Sequence, residues 1–317
     1  MKILFLNRHP HDNSVGSSSL PAVARSLGHS LASDLTDTPD VVVCIDWTKS
    51  ATQAISYAAS AGIPRVLIKL EPSVIVPEYQ GARVASLFTA VMEMGRPFAK
   101  PTYAYPQDWD TTFFEQVDRH DSLVAINANK YSFVPGELYS LRATAYSGVS
   151  SLDLYGMGWN RSVSENLLKM AKEIQTSSSG GLPLTLGCVK NLWTAPKSYK
   201  GTSQLKLETL SNYKYSLVIE NSLEFMTEKL IDSILAGTMP IYVGPPVETL
   251  GVPSNLFFRA APNLEDIRRA IGQAAESNWQ VWHDSAREWI SDPSSEERWA
   301  VRNVNARLIG EIERYVR

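Results

Sequence analysis

Cysteine is nearly missing from this chain: Cys44 and Cys188 are the two in 317 residues, with no CxxC pair and no Cys/His cluster beside either. That excludes a disulfide scaffold and a zinc module, and it suits a reducing compartment. Both stand in apolar surroundings and read as buried bystanders rather than reactive thiols. An excess of charge is missing too, because 30 Lys and Arg face 33 Asp and Glu. A chain that lives on nucleic acid or anionic lipid shows a basic face in such totals. Nucleic acid is therefore set aside as a partner, while peripheral membrane contact stays open. No stretch reaches the ~18 uncharged apolar residues of a membrane helix. The start, MKILFLNRHPHDNS, meets Asn7, Arg8 and His9 too early for the apolar core of a signal peptide. The expectation is a soluble, cytoplasmic protein.

What is present is ordinary globular material, 44% hydrophobic and 20% charged. The length exceeds the ~250–300 residues at which a single core stops growing, so two domains are expected. Short β-branched runs predict strands over 2–6, 41–45, 65–69, 123–127, 152–155, 217–219 and 240–243. Helical patterns separate them over 19–27, 50–61, 137–146, 163–174 and 228–236, and continue over 264–277, 280–290 and 295–315. Continuous apolar strands alternating with helices point to parallel sheets covered on both faces. Residues 71–109 turn irregular, rich in Pro, Tyr and Met, and 176–181 reads as a Ser/Gly loop. The simplest architecture is two Rossmann-like halves meeting near residues 113–122.

The most informative stretch is YKYSLVIENSLEFMTEKLIDSILAGTMPIYVGPP, residues 213–246. It reads as strand, loop, helix and strand, with Thr227 a candidate cap and Gly237 and Pro240 the stop. Such a unit places its loop at the carboxyl edge of the sheet, where ligands bind. The loop holds Glu220, Asn221, Ser222 and Glu224, and the helix starts with Glu228 and Lys229. A nucleoside diphosphate suits this pattern, with phosphates toward Lys229 and the helix N-terminus and a ribose diol on Glu228. Equally, Glu228 could complement the helix dipole and Lys229 could be a solvated lysine.

The stretch resembles the donor-site motif of the alpha-1,3-fucosyltransferases, glycosyltransferase family 10, and of their bacterial-type branch in particular. The matching elements are Tyr213-Lys214-Tyr215-Ser216, Glu220-Asn221-Ser222, Thr227-Glu228-Lys229, Ala236-Gly237-Thr238 and the run from Pro240 to Gly244. Upstream, Asn129, Lys130, Tyr139 and Arg142, closed by Leu154-Tyr155-Gly156-Met157-Gly158-Trp159, resemble the family's first donor-domain segment. The resemblance implies a GT-B fold: α/β, two Rossmann-like domains facing an interdomain cleft. It divides the chain into an acceptor-side domain over 1–117, a donor domain over 118–295 and a C-terminal helix over 296–317 that packs back on the first domain. Asn221, Glu228 and Lys229 become donor-binding residues, with Glu228 on the ribose and Lys229 on the diphosphate. Two positions depart from the pattern. Phe225 stands where better-known members have a longer loop and a tyrosine, and Pro135 stands near the family arginine. Arg142 could supply that guanidinium or be a helix-surface arginine, and Lys206 is a further phosphate candidate.

In the first half Glu71, in VLIKLEPSVIVP, directly follows a predicted buried strand and so sits at its sheet's carboxyl edge. The resemblance implies the catalytic base there, and partial burial would raise its pKa toward a useful value. Glu78 and Glu93 are alternatives, and His9 and His11 are acceptor-side candidates. Asp108-Trp109-Asp110 matches a metal-binding DxD, but three residues are a cheap match and no metal is assigned. Tyr103, Tyr105 and Trp109 could stack on a sugar or simply pack. The resemblance as a whole implies an inverting transferase that moves L-fucose from GDP-fucose to a glycan hydroxyl and needs no cofactor. Rival readings are another sugar nucleotide, a sugar-nucleotide epimerase, or a non-catalytic nucleotide-sugar or carbohydrate-binding protein. The epimerase is disfavoured because Gly156-Met157-Gly158 lacks the third glycine of a dinucleotide fingerprint.

Overall fold

Two all-parallel sheets organise the chain, whose computed structural model describes residues 1–7, 17–176 and 196–316. The chain divides into a first unit, Met1–Trp109 with Pro293–Arg317, and a second, Asp110–Asp292. The divisions fall at 109/110 and 292/293 rather than at 117/118 and 295/296. His9, His11 and Cys188 lie outside the described residues, as does 177–181 of the expected Ser/Gly loop.

The first unit's strands are β1 (Lys2–Asn7), β2 (Ser30–Leu31), β3 (Val41–Ile45), β4 (Arg65–Lys69) and β5 (Ala90–Glu93), ordered β2-β1-β3-β4-β5. Alternation along each strand sends side chains to two cores. Ile3, Val41, Val43, Ile45, Val66 and Ile68 pack with helix α1 (Leu20–Ser26). On the other face Leu4, Val42, Cys44 and Leu67 pack with Ile55 and Ala58 of helix α2 (Thr52–Ser60). Burial and the neighbouring Asp46 charge push the Cys44 thiol up to about 12, so it stays protonated at neutral pH.

The second unit carries β6 (His120–Ile126), β7 (Leu152–Tyr155), β8 (Tyr199–Gly201), β9 (Tyr213–Ile219), β10 (Met239–Val243) and β11 (Phe258–Arg259). They are ordered β11-β10-β9-β6-β7-β8. Counted within this unit, that is the doubly wound order 6-5-4-1-2-3. Among the described residues its helices are α3 (Tyr139–Gly148), α4 (Val163–Thr176), α5 (Lys206–Ser211), α6 (Lys229–Leu235), α7 (Leu264–Glu276) and α8 (Trp279–Ser291). Helix α6 carries more than an apolar stripe: every residue from Leu230 to Leu235 is buried, Asp232 and Ser233 included.

The expected single helix over 295–315 is two helices, α9 (Pro293–Trp299) and α10 (Val301–Glu313). Ala300 between them is extended, and the backbone there pairs with Gln107. The Gln107 N–H donates to the Trp299 carbonyl at 2.9 Å, and the Val301 N–H donates to the Gln107 carbonyl at 2.7 Å. Helix α10 then completes the first core with Val304, Leu308, Ile309 and Ile312.

Beyond β7 the backbone turns at Gly156, whose φ is +136°. A Cβ there would lie 2.0 Å from the Asn127 carbonyl oxygen. The approach is fixed from both sides. The Asn127 N–H donates to the Tyr155 carbonyl at 2.9 Å, and Trp159 Nε1 donates to the Asn127 carbonyl at 2.6 Å. Gly156→Ala is expected to destabilise the protein by about 1–3 kcal/mol from backbone strain alone. Thermal unfolding checks this, and an unchanged midpoint would mean the turn can reshape.

Candidate nucleotide site at the β6/β9 switch point

Parallel sheets bind ligands outside the carboxyl ends of their strands, where neighbouring strands connect in opposite directions. In the second unit that point lies between β6 and β9. The residues just past those ends are Asn127 and Glu220. Asn127 carries no motif in the sequence, yet it is buried and receives the Tyr146 hydroxyl on its Oδ1.

The segment from Glu220 to Lys229 is tied to itself. Glu220 is fully buried and takes two bonds from Thr227, from the backbone N–H at 3.1 Å and from Oγ1 at 2.7 Å. Thr227 therefore does not cap helix α6 as expected: its hydroxyl donates to Glu220 and accepts from Lys229 Nζ, and the helix begins two residues later. Glu228 occupies the cap position and makes no side-chain cap bond. Lys229 Nζ donates to Thr227 Oγ1 at 2.6 Å and lies 3.6 Å from Glu220 Oε2 and 3.8 Å from Glu228 Oε1. Ser222 is buried and pairs its backbone with both Glu137 and Phe225.

Lys206, from the start of α5, joins the same cluster. Its Nζ stands 3.0 Å from Glu228 Oε1 and 2.5 Å from Asp232 Oδ2. Burial works against the charge of Glu228, but Lys206 and Lys229 outweigh it and hold the carboxyl well below the usual range. Burial pushes the Asp232 carboxyl up, reinforced by the Glu228 charge and opposed by Lys206. Lys206 is itself raised, since its two carboxylates overcome burial. A recess of about 260 Å³, solvent space at its mouth included, is lined by Asn127, Lys206, Ser216, Lys229 and Ser233 among others. Ser216 is buried, and its Oγ has no hydrogen-bond partner among the described residues. A buried hydroxyl left unsatisfied beside two lysines marks a place for a polar ligand or water.

Arg142 is neither a helix-surface arginine nor a freely exposed phosphate ligand. It is 3% exposed. Its Nε and one Nη donate to the Ile219 carbonyl at 3.1 and 2.6 Å, and the same Nη donates to Asn221 Oδ1 at 2.9 Å. The guanidinium also lies 4.8 Å from the centre of the buried Tyr139 ring. The pattern predicted a cation here; the structure uses it to fix Asn221 and the end of β9. Asn129 is buried, with Nδ2 donating to the Gly158 carbonyl at 3.1 Å, whereas Lys130 is exposed. Neither lines the recess.

In the first unit, Glu71 follows β4 and is partly buried. Its backbone is set by Asp46, a residue with no motif in the sequence. Asp46 is buried with φ +50°, and its Oδ1 accepts from the N–H groups of Leu70 at 3.1 Å and Glu71 at 3.2 Å and from the Tyr79 hydroxyl at 3.0 Å. Glu78 lies in the short turn Pro77–Tyr79 and is partly buried. Glu93 is committed elsewhere: Lys69 reaches its Oε1 at 2.8 Å and Arg96 bridges both oxygens. Burial is outweighed by these two cations, which hold Glu93 below the usual carboxylate range and make it a poor proton acceptor. Asp110 accepts from the Thr112 N–H and hydroxyl in a local turn. Tyr103 and Tyr105 pack, half-buried, against the first core.

No protein-family model matches the chain. A fucosyltransferase-like protein of Arabidopsis thaliana is 39% identical over 64 residues, which are 20% of this chain and 12% of that protein. Among solved structures, Anabaena Alr3699/HepE in complex with UDP and glucose superposes with a TM-score of 0.59 at 12% identity, over 99% of this chain and 100% of that one. An alpha1,3-fucosyltransferase with GDP gives 0.50 at 14% identity, over 100% of this chain and 90% of that one. The chain has the GT-B glycosyltransferase fold. Likeness at such identities extends to the fold and not to the substrate. Within this GT-B chain, the Lys206, Glu228 and Lys229 cluster lies at the doubly wound sheet's switch point. No helix among the described residues is long and apolar enough to cross a membrane.

Proposed function

We propose that this GT-B chain is an inverting glycosyltransferase that moves L-fucose from GDP-fucose to a hydroxyl of a glycan acceptor, with alpha-1,3-type linkage. The observation that carries the reading is the cluster at the β6/β9 switch point, where two lysines meet the ionised Glu228 beside a recess. The donor's identity rests on the motif across residues 213–246 and on the fucosyltransferase-like relative. That relative is a plant protein and lends nothing to a bacterial-type branch.

In this reading Lys229 faces the diphosphate, Glu228 the ribose, and Asn221, held by Arg142, the rest of the donor. The acceptor oxygen attacks the anomeric carbon as the bond to the diphosphate breaks, and the proton passes to Glu71. Inversion of a beta-linked donor gives an alpha-linked product. Lys229 absorbs charge that develops on the leaving GDP, so turnover is expected without added divalent metal. Calorimetric titration with GDP-fucose, GDP-mannose, UDP-glucose and CMP-sialic acid tests the donor. GDP-linked sugars are expected to bind at least tenfold more tightly, about 1.4 kcal/mol. A preference for UDP-glucose would move the assignment toward another sugar nucleotide.

A further inference from the structure

We infer that Lys206 is a positioning residue that sets nucleotide specificity, by holding Glu228 as a fixed acceptor for the vicinal diol of a ribose without itself touching the phosphates. The inference rests on the nucleotide-sugar reading above.

Glu228 and Asp232 are one helical turn apart, the spacing that puts two side chains on one face and makes like charges repel. Lys206 comes from α5, a different helix, and stands between them at 3.0 and 2.5 Å. An ammonium has three donors, and these two carboxylates engage it from adjacent sides. The other cation is occupied differently. Lys229 makes its short bond to Thr227 Oγ1 at 2.6 Å and lies 3.8 Å from Glu228. The two lysines thus divide the work: Lys229 stays with the Glu220 loop, and Lys206 sets the Glu228 carboxylate.

Charge decides against a phosphate role for Lys206. Lys206 stands 3.0 and 2.5 Å from its two carboxylates, against 3.6 and 3.8 Å for Lys229, so its charge is the more fully engaged of the two. Such a group draws a diphosphate weakly, but it keeps Glu228 anionic and directed. A diol presents two O–H donors, and an ionised carboxylate is the side chain that accepts both. The exposures agree with this division. Glu228 and Lys206 are 39% and 32% exposed at the side chain, against 12% for Asp232. Glu228 is therefore the more open of the two carboxylates that hold Lys206, and Asp232 the more enclosed.

The test compares GDP with 2′-deoxy-GDP by calorimetry in the full chain, in wild type, Lys206→Met, Glu228→Gln and the double variant. Wild type is expected to favour GDP by about 10–100-fold, the range of a hydrogen bond to a charged acceptor. In Lys206→Met the ratio should fall below about threefold, with 2′-deoxy-GDP affinity little changed. Adding Lys206→Met to Glu228→Gln should move the ratio no further, because one residue acts through the other. The double variant also lacks the repelling carboxylate pair, so it serves if Lys206→Met alone does not fold. Equal weakening of both nucleotides at an unchanged ratio would overturn the inference and make Lys206 a phosphate contact. Wild-type protein that binds neither nucleotide would instead remove the nucleotide-sugar reading itself.

Discussion

Glu71→Gln is expected to leave GDP affinity nearly unchanged while turnover falls roughly 10²–10⁴-fold, the usual share of general-base catalysis. At about 1.36 kcal/mol per decade that is ~3–5 kcal/mol of barrier. Glu71 belongs to the first unit and the proposed nucleotide contacts to the second, so the two effects separate. The backbone of Glu71 is anchored independently of its side chain. Its N–H and that of Leu70 both donate to the buried Asp46 carboxylate. A carboxamide of the same shape should thus sit where the carboxylate did, unable to accept a proton. The acid limb of the pH–rate profile should flatten with it. Turnover per folded molecule separates this from a structural role, which would lower stability and spare the rate. A change under about threefold would pass the role to Glu78 or to a histidine such as His11, since Glu93 is already held by Lys69 and Arg96.

Lys229→Ala is expected to weaken GDP binding by about 1.5–3 kcal/mol, the range for a hydrogen bond to a charged group. At 1.4 kcal/mol per decade that is on the order of 10–100-fold in Kd. A second cost falls on the fold. Glu220 is fully buried, and among the described residues Lys229 is the cation paired with it, at 3.6 Å. A buried carboxylate that loses its counter-charge destabilises the native state, so the melting temperature should fall as well. Unchanged calorimetric affinity in folded Lys229→Ala would remove the lysine from the donor site.

The interior of the fold was readable in the sequence, and its margins were not. Val41–Ile45 and Arg65–Lys69 match their apolar runs residue for residue, because these interior strands are buried on both faces, and Leu152–Tyr155 matches with Leu152 and Leu154 buried and Asp153 and Tyr155 more open. The strands with no such signal are Ser30–Leu31, Ala90–Glu93, Tyr199–Gly201 and Phe258–Arg259. They are the outermost strands of the two sheets, each short and paired on one side among the described residues. A half-covered strand needs no continuous apolar run. The break at Ala300 escaped for another reason: its partner Gln107 is remote in sequence, so no local propensity records it.

At the candidate site, residue types were legible and their commitments were not. The sequence marks Glu220, Glu228 and Lys229 as charged groups beside a strand end and Arg142 and Lys206 as further phosphate candidates, and the structure brings four of these five into one network. It gives no sign that Arg142 turns inward to the Ile219 carbonyl, because that bond spans from one helix to another strand's end. Asn127 and Asp46 were missed for lack of any motif. The one available signal was position: each directly follows a buried strand, as Glu71 and Glu220 nearly or exactly do. Asp46 and Asn127 act through backbone groups of remote segments, which spacing alone cannot display.

The most direct measurement is a crystal structure of the chain with GDP. The account predicts nucleotide density at the carboxyl ends of β6 and β9, with phosphate oxygens within about 3 Å of Lys229 Nζ and a ribose hydroxyl on Glu228. Density for GDP elsewhere on the chain, with Lys229 and Glu228 untouched, would contradict it.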